Sequence, residues 1–121
     1  MSTLLLVDDN PDIVTLNKKY LASNGHHIFT ADCGKSAMQA LNENVFDCIV
    51  LDVLLPDVLG FDLRRKIREI SNAPVIFLSC NDRSDDKITG FLSGGNDYMT
   101  KPFSMRELER RICGQILKFH L

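Results

Sequence analysis

Short β-rich runs alternate with longer amphipathic stretches five times along the chain. The runs near 4–7, 27–31, 48–51, 75–79 and 97–99 are rich in Leu, Ile, Val, Phe and Tyr. They are too short to be helices and show little period-2 polarity, so they read as strands buried on both faces. The stretches between them follow the helical period. Asn10 can cap the first and Pro11 suits its opening turn, while Asn24-Gly25 ends it. Ile13, Leu16 and Tyr20 fall on one face of that helix. Ala37, Met38 and Leu41 do so in the second, near 34–44. Leu63, Ile67 and Ile70 do so in the third, near 60–70, leaving Arg64, Arg65, Arg68 and Glu69 mainly in water. The fourth stretch, near 84–93, has a thin apolar anchor (Ile88, Phe91, Leu92) loosened by Gly90, Gly94 and Gly95. The last starts at Ser104, with Glu107 placed as in a capping box. Met105, Leu108, Ile112, Ile116 and Phe119 form its inward stripe.

Strict strand–helix alternation predicts an α/β fold, a doubly wound (βα)5 unit with a parallel sheet and right-handed crossovers. With 121 residues and no internal repeat or linker, one domain over 1–121 is expected. Apolar content of 45% and charged content of 25% suit a folded soluble domain. The net charge of −2 gives no general attraction to nucleic acid. No apolar run is long enough to span a bilayer and no basic leader precedes one, so a cytoplasmic protein without membrane contact is expected. Cys33, Cys48, Cys80 and Cys113 contain no C-x-x-C pair. Two lie in or beside strand runs, which reads as structural thiols and not a disulfide framework.

The chemistry sits where strands end. Asp8-Asp9 follow the first run, Asp52 ends the third, Ser79 ends the fourth, and Lys101-Pro102 follows the fifth. In an open parallel sheet the carboxyl ends of the strands share the ligand edge. Three carboxylates there repel one another unless a cation intervenes. Mg2+ takes one or two carboxylates, several waters and a phosphate oxygen. Asp9 and Asp52 are the expected direct ligands, with Asp8 acting through water and a main-chain carbonyl after Asp52 completing the set. Asp52 is then a candidate phosphoryl acceptor, with Lys101 and Ser79 on the other phosphoryl oxygens.

Asp8-Asp9-Asn10, the segment Asp52-Val53-Leu54-Leu55-Pro56-Asp57 with Gly60, Ser79, and the run from Gly94 to Phe103 through Lys101-Pro102 are ordered and spaced as in one family. Over essentially its whole length the chain resembles the receiver domain of two-component response regulators. That resemblance implies a flavodoxin-like sheet of order 2-1-3-4-5 and a sensor histidine kinase that phosphorylates Asp52. It implies an Mg2+ site at Asp8, Asp9, Asp52 and the Leu54 carbonyl, phosphate contacts from Ser79 and Lys101, and a cis bond before Pro102. It also implies a switch in which Tyr98 turns inward as the Ser79 hydroxyl moves toward phosphate, the fourth helix being the moving part.

In the subfamily of winged-helix transcription factors, the fourth helix, fifth strand and fifth helix form a symmetric dimer face. By that analogy Lys87 would face Glu107, and Asp97 would face Arg111, across a two-fold axis. Cys113 and Asn96 stand where that subfamily often carries further charge, and Cys80 stands where an alanine is usual. The chain ends just after the fifth helix. A fragment of a DNA-binding regulator is therefore expected, with DNA contacted only by an output domain; a stand-alone receiver or a phosphorylation-independent interaction module is the alternative. An aspartyl-phosphate hydrolase would need an acid at Leu54. A flavin carrier would not tolerate Asp8-Asp9 beside its phosphate. The chain is therefore expected to catalyse only its own phosphorylation and slow dephosphorylation.

Overall fold

Each of the five runs forms a strand: β1 Thr3–Val7, β2 His27–Ala31, β3 Cys48–Asp52, β4 Val75–Ser79 and β5 Asp97–Thr100. The helices between and after them are α1 Pro11–Ser23, α2 Gly34–Glu43, α3 Gly60–Arg68 and a C-terminal helix, Met105–Phe119. This computed structural model describes residues 2–79, 97–100 and 103–119, without the Ser79 side chain. The expected fourth helix, with Lys87, and the Lys101–Pro102 pair lie outside the described residues.

All pairings are parallel and the strand order is β2-β1-β3-β4-β5, as expected. Side chains alternate across each strand, so one sheet feeds two cores. Leu5, Val7, Ile49, Leu51, Val75, Phe77 and Tyr98 pack with Ala37 and Leu41 of α2 and with Phe61, Leu63 and Ile67 of α3. Leu4, Leu6, Cys48, Val50, Ile76, Leu78 and Met99 pack with Leu21 of α1 and with Leu108 and Ile112 of the C-terminal helix. Burial on both faces is why the inner strands β1, β3 and β4 read as nearly unbroken apolar runs, while the edge strands β2 and β5 carry polar residues.

The Asn10 side chain accepts from the N–H groups of Asp12 and Ile13, and Gly25 takes φ +90° after α1. Ser104 Oγ accepts from the Glu107 N–H at 3.2 Å. Three inward assignments are corrected. Leu16 is 65% exposed, because the buried residues of α1 are Asn17 and Leu21, which turn its inner face away from Leu16. Ile70 is half exposed because α3 stops at Arg68 and a turn follows. Phe119 is also half exposed. Phe119 is the last residue of the C-terminal helix, whose buried residues are Leu108 and Ile112. Arg64 and Arg68 are half-buried, and the Arg68 guanidinium donates to the Ser71 carbonyl at 2.8 Å.

Cys33, Cys48 and Cys113 are free thiols. Burial pushes the Cys48 thiol up to about 12, so it packs as an apolar side chain. Among the described residues no helix is long and apolar enough to cross a membrane.

Candidate functional site: an acidic cup at the carboxyl edge of the sheet

Strand register brings the acids together. Val7 pairs with Leu51 in the β1–β3 ladder, so Asp8 and Asp52 come one step later on neighbouring strands. Asp52 in turn pairs with Leu78, which sets Ser79 one step beyond it, and Ser79 pairs with Thr100. Lys101 is the residue after Thr100 in the chain.

Asp8, Asp9 and Asp52 each direct a carboxylate oxygen to a common point, all within 4.8 Å of one another. Asp8 and Asp52 are buried, at 5% and 7% exposure, while Asp9 faces solvent. The Asn10 N–H donates to Asp8 Oδ1 at 2.9 Å, fixing that carboxylate at the start of α1. The Leu54 N–H donates to Asp52 Oδ1 at 3.3 Å. The Leu54 side chain itself is 61% exposed. Two buried carboxylates beside a third are a costly arrangement that a divalent cation relieves. An all-oxygen donor set with one solvent-facing side suits Mg2+, which keeps part of its water shell.

The loop after Asp52 is held at two points. The Gly60 N–H donates to the Val53 carbonyl at 2.6 Å, and a Cβ at Gly60 would collide with the Asp52 carbonyl oxygen and the Val53 Cα. Glycine is needed there so that α3 can begin against the acceptor strand. At the second point, the Asp57 carboxylate accepts from the Gly34 N–H at 2.8 Å and the Lys35 N–H at 3.0 Å. These donors open α2, whose first turn carries no acid and whose cap is the Cys33 thiol, a weak acceptor.

The two backbone donors hold the Asp57 carboxyl below its ordinary value near 3.8. A carboxylate with a lowered folded value adds stability that is complete above the unfolded value and fades as pH falls through the folded one. Asp57→Asn is therefore expected to be less stable than the native chain at neutral pH. The gap should close as pH falls below about 4, the ordinary carboxylate range. Thermal midpoints of the two proteins across an acid titration check this; a constant gap would show that charge on Asp57 is not the cause.

Tyr98 is buried, with its ring 6.4 Å from that of Phe77 in the α2–α3 core. Asp97 and Arg111 meet within the single chain at 2.6 Å, and Arg111 also bonds Glu107 at 3.1 Å. Any pairing of Asp97 with Arg111 across a two-fold axis would exchange this internal bridge for an equivalent one. Sequence reasoning missed two features: the clamp made by Asp57, and a His26–Glu109 contact between the α1–β2 junction and the C-terminal helix.

Residues 4–113 match the response regulator receiver domain. The chain belongs to this family. The receiver domain is 38% identical over 116 residues to the uncharacterized transcriptional regulatory protein YrkP of Bacillus subtilis, covering 96% of this chain and 50% of YrkP. It spans about half the length of the curated relatives it matches. Among solved structures, the receiver domain of Francisella response regulator 1452 superposes with a TM-score of 0.93 at 36% identity, covering 98% of this chain and 99% of that one. The receiver domain of the sensor histidine kinase PA1611 of Pseudomonas aeruginosa superposes with a TM-score of 0.87 at 32% identity, covering 95% and 97%. That structure has a magnesium ion coordinated in its active site cleft. The fold of this receiver domain is thus that of signalling proteins, and several of its sequence relatives are named transcriptional regulators.

Proposed function

We propose that this receiver domain is a phosphorylation-driven switch whose acceptor is Asp52. The observation that carries the reading is the cup itself: a buried carboxylate at the end of the central strand, with Asp8 and Asp9 oxygens within 4.8 Å of it. The donor is a sensor histidine kinase. A carboxylate oxygen of Asp52 forms a bond to phosphorus as the bond from phosphorus to the kinase imidazole nitrogen breaks. The product is an acyl phosphate.

Asp8, Asp9, Asp52 and the Leu54 carbonyl would hold Mg2+, which when bound neutralises charge on the phosphoryl oxygens during transfer. Asp8 is held in position by the Asn10 N–H. The Leu54 N–H keeps Asp52 oriented before transfer. Register supports phosphate contacts from Ser79 and Lys101, which follow the acceptor's level on the next two strands. A cis bond between Lys101 and Pro102 belongs to the same proposal. Leu54 offers no hydrogen bond to an attacking water, so the phosphoryl group is lost slowly, and with no acid there to protonate a leaving group the domain does not turn over external phosphomonoesters.

The added charge of about −1.5 to −2 draws the Ser79 hydroxyl toward phosphate, a movement that favours an inward position of the Tyr98 ring. Output passes through the face formed by the expected fourth helix, β5 and the C-terminal helix, on which Lys87, Asp97, Glu107 and Arg111 set the register of a homodimer. Exposed charge pairs contribute about 0–1 kcal/mol each, enough to choose a register but not to hold two chains together alone. DNA contact belongs to an output domain, consistent with relatives twice as long as this chain.

The test is incubation with a small acyl-phosphate donor. The native chain is expected to take up about one phosphoryl group with Mg2+ present and none with the cation chelated. Absence of uptake would leave only a phosphorylation-independent interaction module, and uptake without the cation would refute the role given to the cup.

A further inference from the structure

The three carboxylates are not the only cluster of metal-binding donors. His26, Glu109 and Cys113 also bring one ligand atom each within 4.8 Å of the others. His26 Nε2 lies 2.7 Å from Glu109 Oε1, and the Cys113 thiol donates to the same oxygen at 3.2 Å. Glu109 and Cys113 are four residues apart on the C-terminal helix, so they share one face of it. His26 precedes β2, whose first residue pairs with Thr3 at the start of β1. The cluster is therefore at the amino edge of the sheet, opposite the acidic cup.

A second observation singles out the histidine. Its side chain is only 7% exposed, and Nδ1 is buried without a hydrogen-bond partner among the described residues. Glu109 is thus the ring's polar anchor. Nε2 is the nitrogen turned toward Glu109, so it is the ring's ligand atom, and Nδ1 lies across the ring from the cluster.

We propose that His26, Glu109 and Cys113 form a second cation site, for a borderline transition metal of the Zn2+ type. Nitrogen, carboxylate oxygen and sulfur are the donors Zn2+ accepts, whereas Mg2+ refuses sulfur. Tetrahedral coordination with bonds of about 2.0–2.3 Å separates ligand atoms by about 3.3–3.8 Å. The observed contacts need to open by less than about 1 Å to admit the ion, a change within reach of small χ adjustments. Cys113 is exposed, so entry and a fourth, water-filled position lie on the solvent side. Burial and the adjoining Glu109 carboxylate raise the Cys113 thiol above its ordinary value, so the metal-free cluster keeps the S–H···O contact seen here. A bound ion would tie the α1–β2 junction to the helix proposed to carry output.

The test uses Co2+ as the spectroscopic probe, under reductant and with Mg2+ in large excess to fill the acidic cup. The native chain is expected to bind one Co2+ with the sulfur-to-cobalt charge-transfer band of a thiolate ligand. Cys113→Ser should lose that band, while Cys33→Ser should keep it. His26→Gln should weaken binding by more than the roughly 10–100-fold cost of losing a supporting partner. Because His26 is buried, Zn2+-dependent rise of the thermal midpoint in native and Cys33→Ser chains, absent in Cys113→Ser, gives a readout independent of that variant. No thiolate band in the native chain, or a band that survives Cys113→Ser, would overturn the site and leave the cluster as a hydrogen-bonded clasp.

Discussion

Asp52→Asn is expected to abolish phosphoryl uptake and to leave the fold intact. The amide oxygen is neutral and its nitrogen lone pair is delocalised, so neither atom can attack phosphorus as a carboxylate does. Shape and volume are unchanged, so the ladder from Ile49 to Asp52 and the Leu54 contact to Oδ1 are retained. The variant also removes one of three neighbouring negative charges, two of them buried. Relief of that repulsion predicts a thermal midpoint in metal-free buffer equal to or above the native one, and weaker gain from added Mg2+. Phosphoryl labelling and melting of the same samples report both effects. Labelling of the variant at the native level would remove Asp52 from the mechanism.

The second large effect is on stability. Phe77 lies at the centre of β4 with no exposed surface, edge-on to Phe61 at 4.9 Å and 6.4 Å from Tyr98. Phe77→Ala leaves a cavity under α3, and large-to-small core changes of this kind cost about 3–5 kcal/mol. Net stabilities of single domains are about 5–15 kcal/mol, so the variant should retain little margin at 37 °C. Urea unfolding is expected to show a much lower midpoint with an unchanged slope. Tyr98 would lose part of its packing as well, so the variant should also weaken any coupling between acceptor and output face. A loss below about 1 kcal/mol would show that the α2–α3 core repacks around the gap.

The architecture was legible because burial on both faces writes itself into the inner strands β1, β3 and β4 as nearly unbroken apolar runs. The cup was legible for a related reason: a polar residue ending such a run marks the edge where the strand leaves the core. Asp8, Asp9 and Asp52 could be named from that alone, and register then brings Asp8 and Asp52 level on adjacent strands. The helix faces were less so. Leu16, Ile70 and Phe119 fit the helical period but lie off the buried face or at the end of a helix, where periodicity carries no information about the neighbour.

The contacts hardest to foresee join distant residues. Asp57 reaches α2 across 23 positions, and His26 reaches Glu109 across 83. Each is a side chain answering a need elsewhere: an acid-free helix start in one case, a buried imidazole in the other. The absence of Asp or Glu from the first turn of α2 was the available signal for the first. Nothing local distinguishes His26 from the exposed His27 beside it.

The most direct measurement reduces the acyl phosphate with borohydride, which converts the acceptor aspartate to homoserine, and maps it by peptide mass. After treatment with phosphodonor and Mg2+, homoserine is expected at position 52, in the tryptic peptide between Lys35 and Arg64. Conversion at Asp8 or Asp9, in the peptide ending at Lys18, or at no aspartate, would contradict the assignment of Asp52 as the group the cup exists to serve.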